Sequence, residues 1–169
     1  MATWSEFANA APEMAERGAV MLAIPLAYLA TVRRTGAPRL HPLSPILAGG
    51  RLFVAIQSTS PRRSDLARDG RYSLHTLPPE LGPDYDEFEF NLTGMASRVT
   101  DVATLVLIDE AEAARARPAI PRNDWVFELD IESALTSVWN HTMVEVGGRW
   151  LPSLAGEQPQ ATRTVWRES

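Results

Sequence analysis

The hydrophobic pattern of the chain changes period near residue 26. Thr3 or Ser5 can cap a first short helix, and a second is predicted from Pro12 to about Leu22. After residues 1–25, short apolar runs alternate with turn sequences, which is typical of β-strands joined by hairpins. The residues predicted to face the core from the second helix are Met14, Val20 and Met21.

The β-pattern continues through most of the remaining chain. The predicted strands cover Ala27–Val32, Pro38–Leu47, Arg51–Gln57, Arg71–Leu77, Glu87–Val99, Trp125–Glu132 and Leu135–His141, and a hairpin follows over Met143–Leu151. Two further helices are predicted, one from Pro61 with Gly70 as its left-handed cap, and one from Asp101 to about Arg117. Sequential hairpins without βαβ spacing indicate a mainly β (α+β) antiparallel barrel with flanking helices. The three prolines of Pro38–Leu47 predict an edge or bulged strand.

Length and composition fit one globular domain. The 169 residues are divided into N-terminal helices (1–25), a barrel with inserted helices (26–151) and a polar tail (152–169). The net charge of −5 argues against general nucleic-acid binding. The longest apolar run, Gly18–Ala30, is too short to span a bilayer, and the N-terminus lacks the layout of a signal peptide. We therefore expect a cytoplasmic protein without a membrane partner.

The inventory of reactive side chains is small. The chain has no cysteine and no lysine, which excludes disulfides, a thiolate nucleophile and a lysine Schiff base. Its histidines, His41, His75 and His141, fall on three predicted strands without HxH or HExxH spacing, so we expect no metal site. His75 and His141 are interpreted as structural.

The segment after the third predicted strand is predicted to begin a helix with two positive charges at its N-terminus, where the helix dipole disfavours cations. Ser60 suits the N-cap and Pro61 the first helical position, and Arg62 and Arg63 then lie in the first turn. A bound anion would resolve this conflict, because free N–H groups, a hydroxyl and guanidinium groups together form a phosphate site. The alternative is a solvated surface turn.

A cationic, hydroxyl-rich cluster surrounds this helix start. Its members are Arg39, His41, Ser44, Gln57, Ser58, Ser60, Arg62 and Arg63. Such a cluster suits a small phosphorylated ligand. It holds no obvious acid or nucleophile, so chemistry would come from the ligand, as with redox cofactors.

The order of residues in this region resembles a known family. Leu29-Ala30-Thr31-Val32-Arg33-Arg34-Thr35-Gly36-Ala37-Pro38-Arg39-Leu40-His41-Pro42-Leu43-Ser44 and then Ser60-Pro61-Arg62-Arg63-Ser64-Asp65-Leu66-Ala67-Arg68-Asp69-Gly70-Arg71 resemble the pyridoxamine 5′-phosphate oxidase-like family of flavin-binding split β-barrels. The resemblance covers about residues 27 to 77. It implies an antiparallel split β-barrel, a cofactor that is FMN or the deazaflavin coenzyme F-420, and a homodimer with the cofactor at its interface.

The resemblance also implies roles for individual residues. Arg39 matches an arginine that contacts the flavin phosphate or ring, and Ser60 and Arg62 match residues that bind the phosphate. The positions that match ring contacts are Gln57, Ser58, His41 and Ser44, and Trp150 falls roughly where the family brings an aromatic residue to the cofactor. The true oxidases carry a lysine near the position of Ser44, from which this chain departs.

Three hypotheses follow. The first is a flavin- or deazaflavin-dependent oxidoreductase that transfers hydride to or from a small molecule, with catalytic residues unassigned. The second is a non-catalytic module of the same fold that holds a flavin or haem for storage or sensing. The third is a barrel scaffold without a ligand.

Overall fold

A computed structural model describes residues 1–24, 26–76, 87–139, 143–146, 149–152 and 161–168. For residues 87, 88, 139, 143–146, 149–152 and 161 it describes the backbone alone. The helices of this part of the chain are α1 (Trp4–Ala10), α2 (Pro12–Ala23), α3 (Arg62–Arg68) and α4 (Val102–Ala114). The strands are β1 (Ala27–Val32), β2 (Pro38–Leu43), β3 (Pro45–Ala48), β4 (Arg51–Ile56), β5 (Arg71–Thr76), β6 (Glu87–Arg98), β7 (Trp125–Trp139), β8 (Met143–Val146), β9 (Arg149–Pro152) and β10 (Ala161–Arg167).

Eight of these strands form one antiparallel sheet, which confirms the predicted barrel architecture. The order is β2-β1-β5-β6-β7-β4-β3, and β10 pairs with the second half of β7 beside β4. The hairpin β8–β9 forms a separate two-stranded sheet, as predicted. β2 lies at the end of the strand order, so the prediction of an edge strand from its prolines is confirmed.

The longest strand differs from its prediction. The segments Trp125–Glu132 and Leu135–His141 were predicted as two strands, but β7 runs unbroken from Trp125 to Trp139. The register of β6 against β7 shifts between Thr93 and Gly94. This β-bulge allows β7 to continue as one strand although its hydrophobic alternation is interrupted. A Cβ atom on Gly94 would lie 1.9 Å from the Asp130 carbonyl oxygen, so only glycine fits there.

Two other strand predictions need correction. The predicted strand Pro38–Leu47 is divided into β2 and β3 at Ser44, because the chain leaves β1 and joins β4. The C-terminal segment, predicted as a polar tail, contains β10. The sequence of β10 shows little hydrophobic alternation, and its residues 162–165 are all exposed. The strand is therefore held by backbone pairing with β7 and not by burial of one face.

Three of the four described helices begin where the sequence predicts, and α3 begins one residue later, at Arg62. Thr3 and Glu6 form a reciprocal capping box on α1, and the Asp101 side chain accepts a hydrogen bond from the Thr104 amide of α4. α4 ends at Ala114, before the predicted Arg117. α3 ends at Arg68 with Asp69 as its C-cap, and Gly70 does not have the positive φ of a left-handed cap, so that prediction is wrong.

The core lies between α1, α2 and the concave face of the sheet. Met14 and Met21 are buried as predicted, whereas Val20 is 65% exposed and the prediction that it faces inward is wrong. Gly18 takes the inward position, because the ring of the fully buried Phe90 lies so close that a Cβ atom would be 2.5 Å from its Cζ atom. Helix packing on an aromatic ring therefore determines which residues of α2 face the core.

Some sequence predictions fall beyond the described residues. These concern Leu77, at the end of a predicted strand, and His141. Among the helices that the structure describes, none is long and apolar enough to cross a bilayer.

Candidate functional site

The inner face of β2 carries two of the predicted site residues. Arg39 and His41 are half-buried, and they alternate with the exposed Pro38, Leu40 and Pro42. This is the alternation expected for an edge strand with one face turned toward the protein. The prediction that Arg39 and His41 share a face is confirmed.

Arg39 is fixed by a residue that the sequence analysis missed. Its Nε donates to Oδ2 of Asp65 at 2.7 Å, and Asp65 is 4% exposed on α3. Arg68 lies 3.4 Å from the other oxygen of the same carboxylate. The i, i+3 spacing of Asp65 and Arg68 was visible in the sequence, but only the tertiary contact between α3 and β1–β2 shows that Arg39 shares this carboxylate.

Arg62 lies beside this ion pair without one of its own. Its Nε donates to Ser60 Oγ at 3.0 Å, and its Nη1 lies 3.4 Å from the Pro42 carbonyl oxygen. Within the described residues, Arg62 forms no ion pair with a carboxylate. Burial first, and then the charge of Arg39, lower the pKa of Arg62. Among the described residues, no negative charge therefore compensates for this half-buried guanidinium.

Ser60 serves this arginine and not the helix as predicted. The N-cap position belongs to Pro61, which has α-helical backbone angles, and no side chain caps α3. The Ser60 hydroxyl instead accepts from Nε and, at 3.4 Å, from the amide of Arg62. The prediction of Ser60 as an N-cap is therefore wrong.

His41 lies among three arginines. Its pKa is lowered, by burial first and then by the charges of Arg62, Arg39 and Arg33. At neutral pH the imidazole is therefore neutral and can both donate and accept a hydrogen bond.

Ser58 is held by a second segment that the sequence analysis missed. Its amide donates to Asp124 Oδ1 at 2.8 Å, and its hydroxyl accepts from Asn123 Nδ2 at 2.9 Å. These two residues precede β7, whose Trp125 pairs with Ile56 at the end of β4. Asn123 and Asp124 have turn composition, and nothing in their local pattern indicated this contact. Gln57, next to Ser58, is exposed.

Arg63 points away from Arg62 and toward β7. Its guanidinium carbon lies 5.0 Å from the centroid of the Trp125 ring, and that of Arg98 lies 3.7 Å from the same centroid. These are cation–π distances. Arg63 and Arg98 therefore form a second cationic group around Trp125.

The structure thus divides the predicted residues. It brings Arg39, His41, Ser60 and Arg62 together on the β2 side of α3, and it places Ser58 and Arg63 against the segment that begins β7. Ser44 is half-buried between β2 and β3, and Trp150 lies in β9, where side chains are outside the described part.

Other features of the molecule do not coincide with this region. A cavity of about 460 Å³ lies between α2, β7 and β10, lined by residues such as Glu13, Arg17 and Thr136, and contains none of the predicted site residues. Among the described residues, no group of three or more His, Cys, Asp or Glu side chains could hold a metal ion.

No protein-family model and no curated protein sequence matches the chain. Solved structures do match. A conserved hypothetical protein from Mycobacterium tuberculosis has a TM-score of 0.58 at 17% identity, over 70% of this chain and 81% of that one. The haem storage protein HutZ from Vibrio cholerae has a TM-score of 0.55 at 18% identity, over 72% and 89% of the two chains. A putative pyridoxamine 5′-phosphate oxidase from Listeria innocua has a TM-score of 0.55 at 14% identity, over 72% and 95%.

At such low identity the likeness concerns the fold, and functions differ among these structures. The strand order, the antiparallel pairing and these neighbours agree with the resemblance found in the sequence. The chain has the split β-barrel fold of the pyridoxamine 5′-phosphate oxidase-like proteins.

Proposed function

We propose that the chain binds a flavin, FMN or a deazaflavin, through its phosphate group and acts as an oxidoreductase on a small molecule. The observation that carries the proposal is the half-buried Arg62, which has no carboxylate partner among the described residues. A buried cation without a counter-charge is costly, and an anionic ligand removes that cost.

The charges around Arg62 suit a phosphate. Arg39 and Arg68 contact one carboxylate, that of Asp65, whereas Arg62 contacts no carboxylate of the described residues and His41 is neutral. With the exposed Arg33 left out, these three arginines and one carboxylate leave a net charge of +2. A phosphate monoester carries about −1.5 to −2 at pH 7, so one such group nearly neutralises the cluster. A carboxylate ligand would leave about half of the excess uncompensated.

The residues present therefore fit a phosphorylated cofactor. Arg62 and Arg39 would hold the anionic group, Ser60 orients Arg62, and the neutral His41 offers a polar contact beside it. A bound flavin would supply redox chemistry. Within the described site, no side chain stands out as a nucleophile or a tuned acid, and the chain's own contribution is to bind and orient.

The proposal includes a homodimer. β2 ends the described sheet, and Leu40 on its outer face is 62% exposed. An uncovered edge with an exposed leucine is a surface that a second copy can cover. A cytoplasmic location also stays a prediction.

A titration with FMN tests the binding claim. Arg62→Gln removes the uncompensated charge and should weaken FMN binding at least about tenfold, the value of one charge-assisted hydrogen bond. Arg167→Gln is the matched control, since it removes an exposed arginine from β10, roughly 25 Å along β7 from Trp125. Equal FMN affinity in the wild type and Arg62→Gln would overturn the proposal.

Haem is the second candidate, and His41 is the observation that favours it. A neutral, half-buried imidazole can ligate iron, and the neighbouring arginines can pair with propionate groups. The structural neighbour HutZ is described as a haem storage protein. This reading of the site predicts a shifted Soret band on haem titration that is lost in His41→Ala and retained in His75→Ala. A spectrum that is the same in His41→Ala and the wild type would exclude His41 as the ligand.

A further inference from the structure

The first two residues of α3 send their side chains to opposite sides of the helix. Arg62 contacts the Pro42 carbonyl on β2, whereas Arg63 contacts Trp125 at the start of β7. Successive positions of an α-helix are about 100° apart, which explains the divergence. The start of α3 therefore lies between two cationic groups, Arg39–Arg62 and Arg63–Arg98.

The second group also lacks compensating charge. Neither Arg63 nor Arg98 forms an ion pair with a carboxylate of the described residues. The neighbouring Asp124 accepts the Ser58 amide through Oδ1 and is not paired with either arginine. Two guanidinium groups on one indole ring repel each other, and a cation–π contact at an exposed site compensates for this repulsion only weakly.

We infer that the Arg63–Trp125–Arg98 group binds a second anionic group of the same ligand, of the kind that the pyrophosphate of a nucleotide provides. The identification of that ligand as a flavin rests on the function proposed above. The two guanidinium groups diverge from neighbouring backbone positions, whose Cα atoms are about 3.8 Å apart, so a single ligand that contacts both must be elongated and lie across the helix start.

The same group offers a surface for a planar ring. Arg98 is exposed, and its guanidinium carbon lies 3.7 Å from the Trp125 centroid. Nucleic-acid bases stack on arginine planes and on aromatic rings in this manner. The chemical class that fits both features is a dinucleotide with a pyrophosphate and an adenine ring.

Titrations with FMN and FAD test this inference. The wild type should bind FAD about tenfold more tightly than FMN, because charge-assisted hydrogen bonds and adenine stacking at the second group outweigh the negative charge that the first phosphate loses on becoming part of a pyrophosphate. In Arg98→Gln and Arg63→Gln this advantage should fall to about threefold or less, with FMN affinity changed less than about twofold. Arg167→Gln should leave both affinities unchanged. An FAD affinity no higher than that of FMN, or an advantage that survives both substitutions, would refute the inference.

A titration with ADP separates this inference from the proposed function. ADP carries a pyrophosphate and an adenine but no flavin, and its binding should weaken about tenfold in Arg98→Gln. ADP binding of this kind without FMN binding would support the second anionic site and reject the flavin. FMN binding with no ADP binding and no preference for FAD would support the flavin and reject the second site.

Discussion

The ion pair between Arg39 and Asp65 should behave asymmetrically when either partner is removed. The Asp65 side chain is 6% exposed and that of Arg39 is 20% exposed, so both charges are largely desolvated. Asp65→Ala leaves Arg39 buried without a partner and also removes the partner of Arg68. Breaking a buried pair in this way costs about 3–5 kcal/mol, and the remaining exposure of Arg39 reduces the expected loss to about 2–3 kcal/mol.

Removing the arginine should cost less. In Arg39→Met, the Asp65 carboxylate keeps Arg68 at 3.4 Å, and the methionine retains part of the apolar volume. We expect a loss of about 1–2 kcal/mol. The double variant should lose less than the sum of the single variants by about 1–2 kcal/mol, since the two groups are in direct contact.

Urea unfolding followed by tryptophan fluorescence measures these free energies of unfolding. Equal losses of the free energy of unfolding in the two single variants would show that Arg68 does not stabilise the Asp65 carboxylate. Losses that add in the double variant, within about 0.3–0.5 kcal/mol, would refute the ion pair itself and with it the orientation of Arg39 in the candidate site.

Three further predictions test the fold and the charges of the site. Gly94→Ala should destabilise the protein by about 3 kcal/mol or more, because a Cβ atom would lie 1.9 Å from the Asp130 carbonyl oxygen. Gly36 has open space around it but a φ of +84°, so Gly36→Ala should cost only about 1 kcal/mol in the same unfolding assay. Gly18→Ala should destabilise it despite the higher helix propensity of alanine, since about 1 kcal/mol of propensity cannot offset a 2.5 Å contact with Phe90; a gain in stability would contradict this packing. The pKa of His41 in the folded state lies below its ordinary 6.5, so protonation favours the unfolded chain and the free energy of unfolding of the wild type should fall as the pH drops through 6.5. His41→Gln should lose less of this free energy between about pH 7.5 and 5.5. Parallel pH profiles for the two proteins would contradict the lowered pKa of His41.

The fold was accessible from the sequence because its signals are local. The alternation of Phe88, Phe90 and Leu92, the turn at Gly36 and the cap at Asp101 each follow from short-range rules, and the structure has the strands and helices there. One of the predictions that failed concerns a position where tertiary packing decides. Val20 is apolar but exposed, because the Phe90 ring requires Gly18 on the inner face of α2.

The candidate site was accessible only in part. Arg39, His41 and Arg62 could be grouped because their strand and helix are close in sequence. Asp65 and Asp124 were missed, since their partners Arg39 and Ser58 are 26 and 66 residues away and no pattern connects them. Arg62 and Arg63 are adjacent and chemically identical in the sequence, and only their different contacts, with Pro42 on β2 and Trp125 on β7, separate their roles.

The most direct test of the central claim compares the affinities of FMN and riboflavin for the purified wild-type protein. The two ligands share the ring and the ribityl chain and differ only in the phosphate, which is the group assigned to Arg62. We predict that FMN binds at least about tenfold more tightly than riboflavin and that Arg62→Gln removes most of this difference. Equal affinities for the two ligands, or a preference that persists in Arg62→Gln, would contradict the account.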